Sequence, residues 1–286
     1  MKRILLIALT VILSISMVFT ATSCSTDDVE KPTSNGDMEK IISRGEFVCG
    51  ITLFAPMNYC ETEGDMSTLT GFDTELAGMV ADKLNLDVSF KVINWGNKYI
   101  ELESGNIDCI WNGFASNVDD FDGVAREDKV DFSYVYLDNM QCVVTRATDS
   151  HLYLSTHSLT GKRGTAELGS AGASFIKDNT QAYMTGTATQ EEALQAVVNK
   201  RADFAVVDIV YAEKVIGSGE YAALSMAKTI YIDPEMYAVG CRKGSDLDES
   251  INEALIELLN EGKIEELAEK YRVHISESLL EKKTTK

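Results

Sequence analysis

The sequence has little positive charge, few histidines and few prolines. Its 26 lysines and arginines stand against 45 aspartates and glutamates, a formal net charge of −19. Phosphate backbones are gripped by basic patches, so this balance argues against a nucleic-acid partner and favours solubility. The three histidines, His151, His157 and His274, are scattered and read as surface residues. No close Cys/His spacing suggests zinc, and neither a metal nor another cofactor is expected. There is no short repeat, no low-complexity tract and no visible nucleophile–base pair. Beyond the first two dozen residues no run is apolar enough to span a bilayer, which takes roughly 18–20 residues.

What is present starts with an address. Met1-Lys2-Arg3 is basic, residues 4–19 are apolar apart from Thr10, Ser14 and Ser16, and Ala21-Thr22-Ser23-Cys24 closes the stretch with small residues. This is the layout of a secretory signal peptide over 1–23. Ala21 to Cys24 resembles the lipobox of bacterial lipoproteins, which implies lipidation of Cys24 and a membrane-anchored, extracytoplasmic protein. Residues 24–38 read as the lipidated N-terminus and a polar tether containing Pro32 and Gly36. Without 1–23 the chain keeps 24 basic and 45 acidic residues, since only Lys2 and Arg3 are removed. Five cysteines remain after Cys24. Four of them, Cys49, Cys109, Cys142 and Cys241, lie in apolar strand-like runs where buried free thiols are expected.

The remainder alternates strands and helices. Residues 47–51 read as a strand. Residues 72–84 read as a helix with Phe72, Leu76, Met79, Val80 and Leu84 on one face. A strand over 86–93, a helix over 97–104 ended by Gly105 and an apolar strand over 107–111 complete a βαβαβ pattern, which implies a parallel sheet. The second half repeats it: strand 163–167, helix 170–178, helix from Thr189 to about Lys200 with Glu192 as a capping-box partner, strand 203–207 and helix 209–216. Strand 236–242, helix 249–260 capped by Asp246, and helix 264–271 after Gly262 close the chain. Two α/β halves bind ligands at the carboxyl ends of their strands, so the cleft between them is the natural site.

The blocks RGEFVCGITLFAPMNY, LTGFDTELAGMVADKLNLDVSF, NWGNKYIELESGNIDCIWNG, REDKVDFSYVYLDNMQ, ADFAVVD, YAVGCRKGSDLDESINEAL and EGKIEELAEKY follow one another in order. Over 45–271 this order resembles the polar-amino-acid family of bacterial extracellular solute-binding proteins, receptors of ABC importers. The resemblance implies a two-lobed, type II periplasmic-binding-protein-like α/β fold with two hinge strands. Lobe 1 would hold 39–138 and 235–286, and lobe 2 139–234, with a monomer expected. It implies an amino-acid ligand and an ABC permease as partners, and no catalysis. A dehydratase of cyclic acids on the same scaffold and a ligand-sensing domain are the alternatives. No membrane span or signalling domain follows in this sequence, which disfavours the sensor.

Residue by residue, the resemblance places Arg126 on the ligand carboxylate, a task suited to a planar guanidinium fork. It places Asp208 on the ammonium, though this aspartate could instead cap the helix that follows it. Gly169 and Ser170 begin a helix whose N–H groups favour an anion, and Ser170 can also be a plain N-cap. Phe54 would stack on the ligand or simply pack in its loop. Asn112, Gly113 and Ser116 would grip the ammonium at the end of the third strand. Trp111 could face the cleft or the core, with the core ahead, and Asn139 and Glu235 are expected near the hinges in structural roles. Departures from the family pattern are the extra residues SNVDDFDG before Arg126, with Gly123 where a ligand-binding threonine is usual, and Thr52 and Leu53 where an acidic side-chain selector would stand. The latter argues against a strictly basic ligand. Loop 117–123, with Asp119, Asp120 and Asp122, could screen Arg126, attract a cation or hold calcium, but it reads first as a solvated loop.

Overall fold

A computed structural model describes residues 36–284. The stretch read as a signal peptide, Cys24 and all but the last residues of the stretch read as tether lie outside the described residues. Helix α1 (Asp37–Arg44) begins inside the stretch read as tether. It is pinned there by the Arg242 guanidinium, which donates to Asp37 at 2.7 Å, and by the Met38 N–H, which donates to Asp246.

The first lobe continues with β1 (Glu46–Ile51), the short strands β2 (Tyr59–Cys60) and β3 (Leu69–Thr70), α2 (Phe72–Leu84), β4 (Asp87–Val92), α3 (Lys98–Glu103) and β5 (Cys109–Ala115). Strand β1 pairs in parallel with β4 on one side and β5 on the other. Helix α2 forms where the 3.6-residue stripe placed it. Phe72, Leu76 and Val80 are fully buried, Met79 and Leu84 pack at the rim, and left-handed Asn85 ends the helix. Burying each large apolar side chain contributes roughly 1.5–3 kcal/mol.

A short helix α4 (Arg126–Lys129) and strand β6 (Val130–Phe132) lead into the long β7 (Leu137–Arg146), which carries the chain out of lobe 1. Lobe 2 consists of β8 (Arg163–Glu167), α5 (Ala171–Asn179), β9 (Tyr183–Thr187), α6 (Gln190–Val198), β10 (Phe204–Asp208), α7 (Ile209–Val215) and β11 (Leu224–Met226). The chain returns along β12 (Pro234–Arg242) and finishes with α8 (Leu247–Asn260), α9 (Lys263–Tyr271) and α10 (Glu277–Leu280) on lobe 1.

Strands β7 and β12 run antiparallel, with Glu235 opposite Asn139 and Tyr237 opposite Leu137. Further along, β7 pairs with β10 and β12 pairs with β5. The two parallel sheets therefore meet through this crossing pair, in the order β4-β1-β5-β12-β7-β10-β8-β9. This is the expected two-lobed α/β fold.

Several local readings differ in detail. Strand β9 was not foreseen: it is an edge strand whose residues are exposed or half-buried, so no apolar run marks it. Helix α8 starts at Leu247 rather than 249, and Asp246 directs a carboxylate oxygen to Met38 instead of a capping bond. At α6 the Thr189 hydroxyl accepts from the Glu192 N–H as expected, whereas the Glu192 carboxylate reaches the N–H of Ala188. Trp111 is fully buried beside Phe47 and Tyr136, with ring centroids 6.3 and 6.4 Å away. Cys49, Cys109, Cys142 and Cys241 are buried free thiols.

Candidate functional site

Strands β1, β5, β8 and β10 all point their carboxyl ends at the seam between the lobes. Phe54, Asn112, Gly113 and Arg126 of lobe 1 there face Glu167, Ser170, Gln190 and Asp208 of lobe 2, with Gln141 and Glu235 contributed by the crossing strands. The space left between them is about 20 Å³, room for roughly one water. The lobes are therefore closed on each other, and an amino acid enters only if they part or the side chains turn.

Arg126 opens α4 and is buried. It donates from Nε to Asp120 at 3.0 Å and from Nη1 to the Ala115 carbonyl at 3.0 Å, and its guanidinium lies 5.0 Å from the Phe114 ring centre. Asp120 is thus no part of a solvated loop. It is buried, and it also pairs with Lys129 at 2.9 Å and Lys98 at 3.6 Å. Burial alone would raise its carboxyl, but Lys98 and Arg126 outweigh that and hold it below the usual range. Screening of Arg126, one of the roles open to this loop, is what Asp120 performs. Asp119 and Asp122 are exposed. Among the described residues no His/Cys/Asp/Glu cluster could hold a metal ion.

Lys98 escaped the sequence reading. It is buried over the rings of Trp95 and Tyr99, at 4.9 and 4.6 Å. Burial, then repulsion from Arg126, lowers its ammonium to about 7. Its Nζ donates to the Gly169 carbonyl of lobe 2 at 3.2 Å, and Arg126 Nη2 reaches the same oxygen at 3.5 Å. The loop before Arg126 adds to this closure. The Ser174 hydroxyl of α5 donates to the Asp119 carbonyl, and Lys177 donates to the Phe121 carbonyl with its Nζ 4.8 Å from the Phe121 ring centre.

Opposite Arg126, Asp208 ends β10. It makes no helix-capping bond. Its Oδ1 accepts from Tyr237 at 2.7 Å, Asn139 at 2.8 Å and Gln141 at 2.5 Å, and its Oδ2 accepts from Gln190. Strand register explains the cluster. Asn139 and Gln141 share one face of β7, Glu235 lies opposite Asn139, and Asp208 lies opposite Gln141. Asn139 and Gln141 consequently also donate to Glu235 Oε2, at 2.7 and 3.0 Å. Burial, then the Asp208 charge, raises Glu235 to about 7. The same two causes raise Glu167 to about 8, and burial raises Asp208 despite its four donors.

The remaining residues named from the sequence divide. Phe54 lines the cavity and meets Tyr211 of lobe 2 edge to face at 6.4 Å. The Asn112 side chain is committed to lobe 1: its Oδ1 accepts from Thr52 N and Asn58 Nδ2, and its Nδ2 donates to Thr52 Oγ1. Gly113 has φ +54°, and a Cβ there would meet the Tyr237 ring at 2.7 Å. Its N–H donates to the buried Asp73 at 2.8 Å. Ser170 caps α5 through the Ala173 N–H while also lining the cavity. Ser116 does not line it; its hydroxyl donates to the Met236 carbonyl. Besides Lys98, the sequence reading missed Gln141, Glu167 and Gln190.

These buried acids predict a pH response. Glu167, Glu235 and Asp73, the last raised to about 7 by burial, take up protons more readily folded than unfolded. The stability they confer is present below their unfolded values near 4 and is lost as pH rises through 7–8. Lys98 acts oppositely but only above about 7. The ligand-free chain is expected to melt at a higher temperature at pH 5.5 than at pH 8, and Glu167→Gln and Glu235→Gln are expected to narrow the gap. Scanning calorimetry at the two values checks this; an equal or wider gap in both variants contradicts it.

Two α/β lobes on a crossing strand pair, with a cationic and an acidic group facing one interlobe cavity, define a type II solute-binding protein. The chain belongs to the bacterial extracellular solute-binding proteins, family 3, which it matches over residues 48–274. It is 28% identical to the L-cystine-binding protein TcyA of Bacillus subtilis over 279 residues, 95% of this chain and 97% of that one. It is 26% identical over 221 residues to the arginine-binding extracellular protein ArtP of the same organism, covering 76% and 82%. A Streptococcus pneumoniae ABC uptake transporter substrate-binding protein, solved with bound histidine, superposes with a TM-score of 0.70 at 30% identity, over 83% of this chain and 96% of that one. Among the described residues no helix is long and apolar enough to cross a membrane.

Proposed function

We propose that the chain is an extracytoplasmic lipoprotein, anchored through Cys24, that captures an amino acid between its lobes and delivers it to an ABC importer. The observation that carries the reading is the pair Arg126 and Asp208, a guanidinium and a carboxylate presented by opposite lobes to one cavity. Arg126, with the N–H groups and hydroxyl at Ser170, takes the ligand carboxylate. Asp208 takes the ammonium, Phe54 covers the side chain, and Asn112 and Gly113 shape the wall. Opening of the lobes frees Arg126 and Lys98 from the Gly169 carbonyl, and ligand replaces those contacts on closure. The amino-acid specificities named for the relatives support the class of ligand. The protein acts as a monomer, with no cofactor.

Buried acids raised toward neutrality also suit a general acid, and Glu167 and Glu235 are such groups. This leaves a dehydratase as the second reading, which product formation from a cyclic carboxylic acid would reveal.

Thermal unfolding of the full chain in mild detergent, against each amino acid singly at millimolar concentration, tests the receptor. A ligand at 100 times its dissociation constant adds about 2.7 kcal/mol, which for this size corresponds to roughly 5–10 °C. A shift confined to one chemical group of amino acids is the expected result. No shift with any of them, in a protein that melts cooperatively, contradicts the reading.

A further inference from the structure

The acids around the cavity outnumber what a simple zwitterion can satisfy. Glu167, Asp208 and Glu235 line it together, and none forms an ion pair with another side chain among the described residues. The nearby cations, Arg126 and Lys98, are both already paired with Asp120. The Glu167 carboxylate accepts no hydrogen bond among the described residues, and Glu235 Oε1 is buried without a partner. A buried carboxylate in this state either holds a proton or requires a cation. One ammonium answers Asp208 and leaves the other two acids unmatched.

A second observation points the same way. On the other side of Gln141, Ala171 and Glu235, which line both, lies a groove of about 500 Å³. Asp119, Asp178 and Asp233 line this groove, no lysine or arginine lines it, and of the three Asp178 has a cation beside it, Lys177 at 3.6 Å. Acid-lined clefts concentrate cations and admit extended ones.

We infer that the ligand is an amino acid whose side chain ends in a second cationic group, an ammonium or guanidinium, held by Glu167 and Glu235. This rests on the receptor reading above and narrows it. It also reverses the expectation drawn from Thr52 and Leu53: the acidic selector stands on β8 and β12 instead of beside β1. A second ammonium on a longer chain, as in cystine, where a second carboxylate accompanies it, and a plain basic side chain both offer the cation and are separated by the test. Because Glu167 and Glu235 hold protons near neutrality, a cation that replaces those protons binds more tightly as pH rises. The charged groups acting on Glu167 are Asp208, Lys98 and Glu192, and those on Glu235 are Asp208 and Arg126.

The test is calorimetric titration of the full chain with arginine, lysine, ornithine, cystine, glutamine and serine at pH 6 and pH 8, repeated with Glu167→Gln and Glu235→Gln. The tightest ligand is expected to carry two cationic groups and to bind severalfold tighter at pH 8. At least one substitution is expected to weaken it tenfold or more, and by a larger factor than it weakens glutamine or serine. Cystine as the tightest ligand assigns the second ammonium, and arginine, lysine or ornithine assigns the basic side chain. A neutral amino acid as the tightest ligand, or a dicationic one unaffected by both substitutions, overturns this inference and leaves the receptor standing. Binding of no amino acid removes the receptor reading itself. Melting curves of the variants establish that each is folded.

Discussion

Asp208→Asn and Arg126→Lys are each expected to weaken amino-acid binding by about 100-fold or more in a protein that still folds. Asn keeps the shape of Asp208 and an amide oxygen for the donors on Oδ1, while removing the charge an ammonium needs and the acceptor that Gln190 uses. Lys keeps the charge of Arg126 and loses the planar fork. Truncating one member of a buried, hydrogen-bonded charge pair costs about 2–5 kcal/mol, which corresponds to roughly 30-fold to several thousandfold. Calorimetric titration with the ligand that raises the melting temperature measures the effect, and an unfolding curve on each variant separates binding from folding. A loss under about threefold in both variants would mean the ligand is held elsewhere.

Gly71→Ala is expected to destabilise the fold by about 3–5 kcal/mol, at the upper end of single substitutions. Gly71 has φ +131°, and a Cβ there would stand 2.1 Å from the Met57 carbonyl oxygen, a backbone atom with little freedom to retreat. That carbonyl accepts from the Asp73 N–H, and the Pro56 carbonyl accepts from Phe72. The same contact therefore fixes the start of α2 and the loop that carries Phe54. Asp73 in turn supports Gly113 and Tyr136, so the damage reaches the cavity wall. Urea denaturation measures the loss; a change below about 1 kcal/mol would show that the loop can move aside at little cost.

Much of this architecture is legible in the sequence because burial leaves a period. Helix α2 shows its 3.6-residue stripe, and β5 and β10 begin with short apolar runs, CIW and FAVV, of the kind that strands buried on both faces need. Strand β9 leaves no such mark, being an edge. Within the site, Asp208 is visible as the one charge that ends the apolar run FAVV, and Arg126 through the recognisable block REDKVDFSYVYLDNMQ that it opens. The support around Asp208 is not. Asn139, Gln141 and Glu235 become a cluster only through the register of β7 against β10 and β12. Their one local signal is the alternation of Asn139 and Gln141 in NMQCVV, two polar residues on one face of an otherwise apolar strand. Asp120 and Lys98 illustrate the same limit. Each reads as an ordinary surface charge until the fold buries both beside Arg126.

The central claim is that an amino acid lies between the lobes with its carboxylate toward Arg126 and its ammonium toward Asp208. A crystal structure of the protein with the amino acid that most raises its melting temperature tests it most directly. The account predicts ligand density in the interlobe cavity, carboxylate on the Arg126 guanidinium and ammonium on the Asp208 carboxylate, with the lobes closed over it. Density in any other place, or in the cavity with neither residue touching it, would contradict the account.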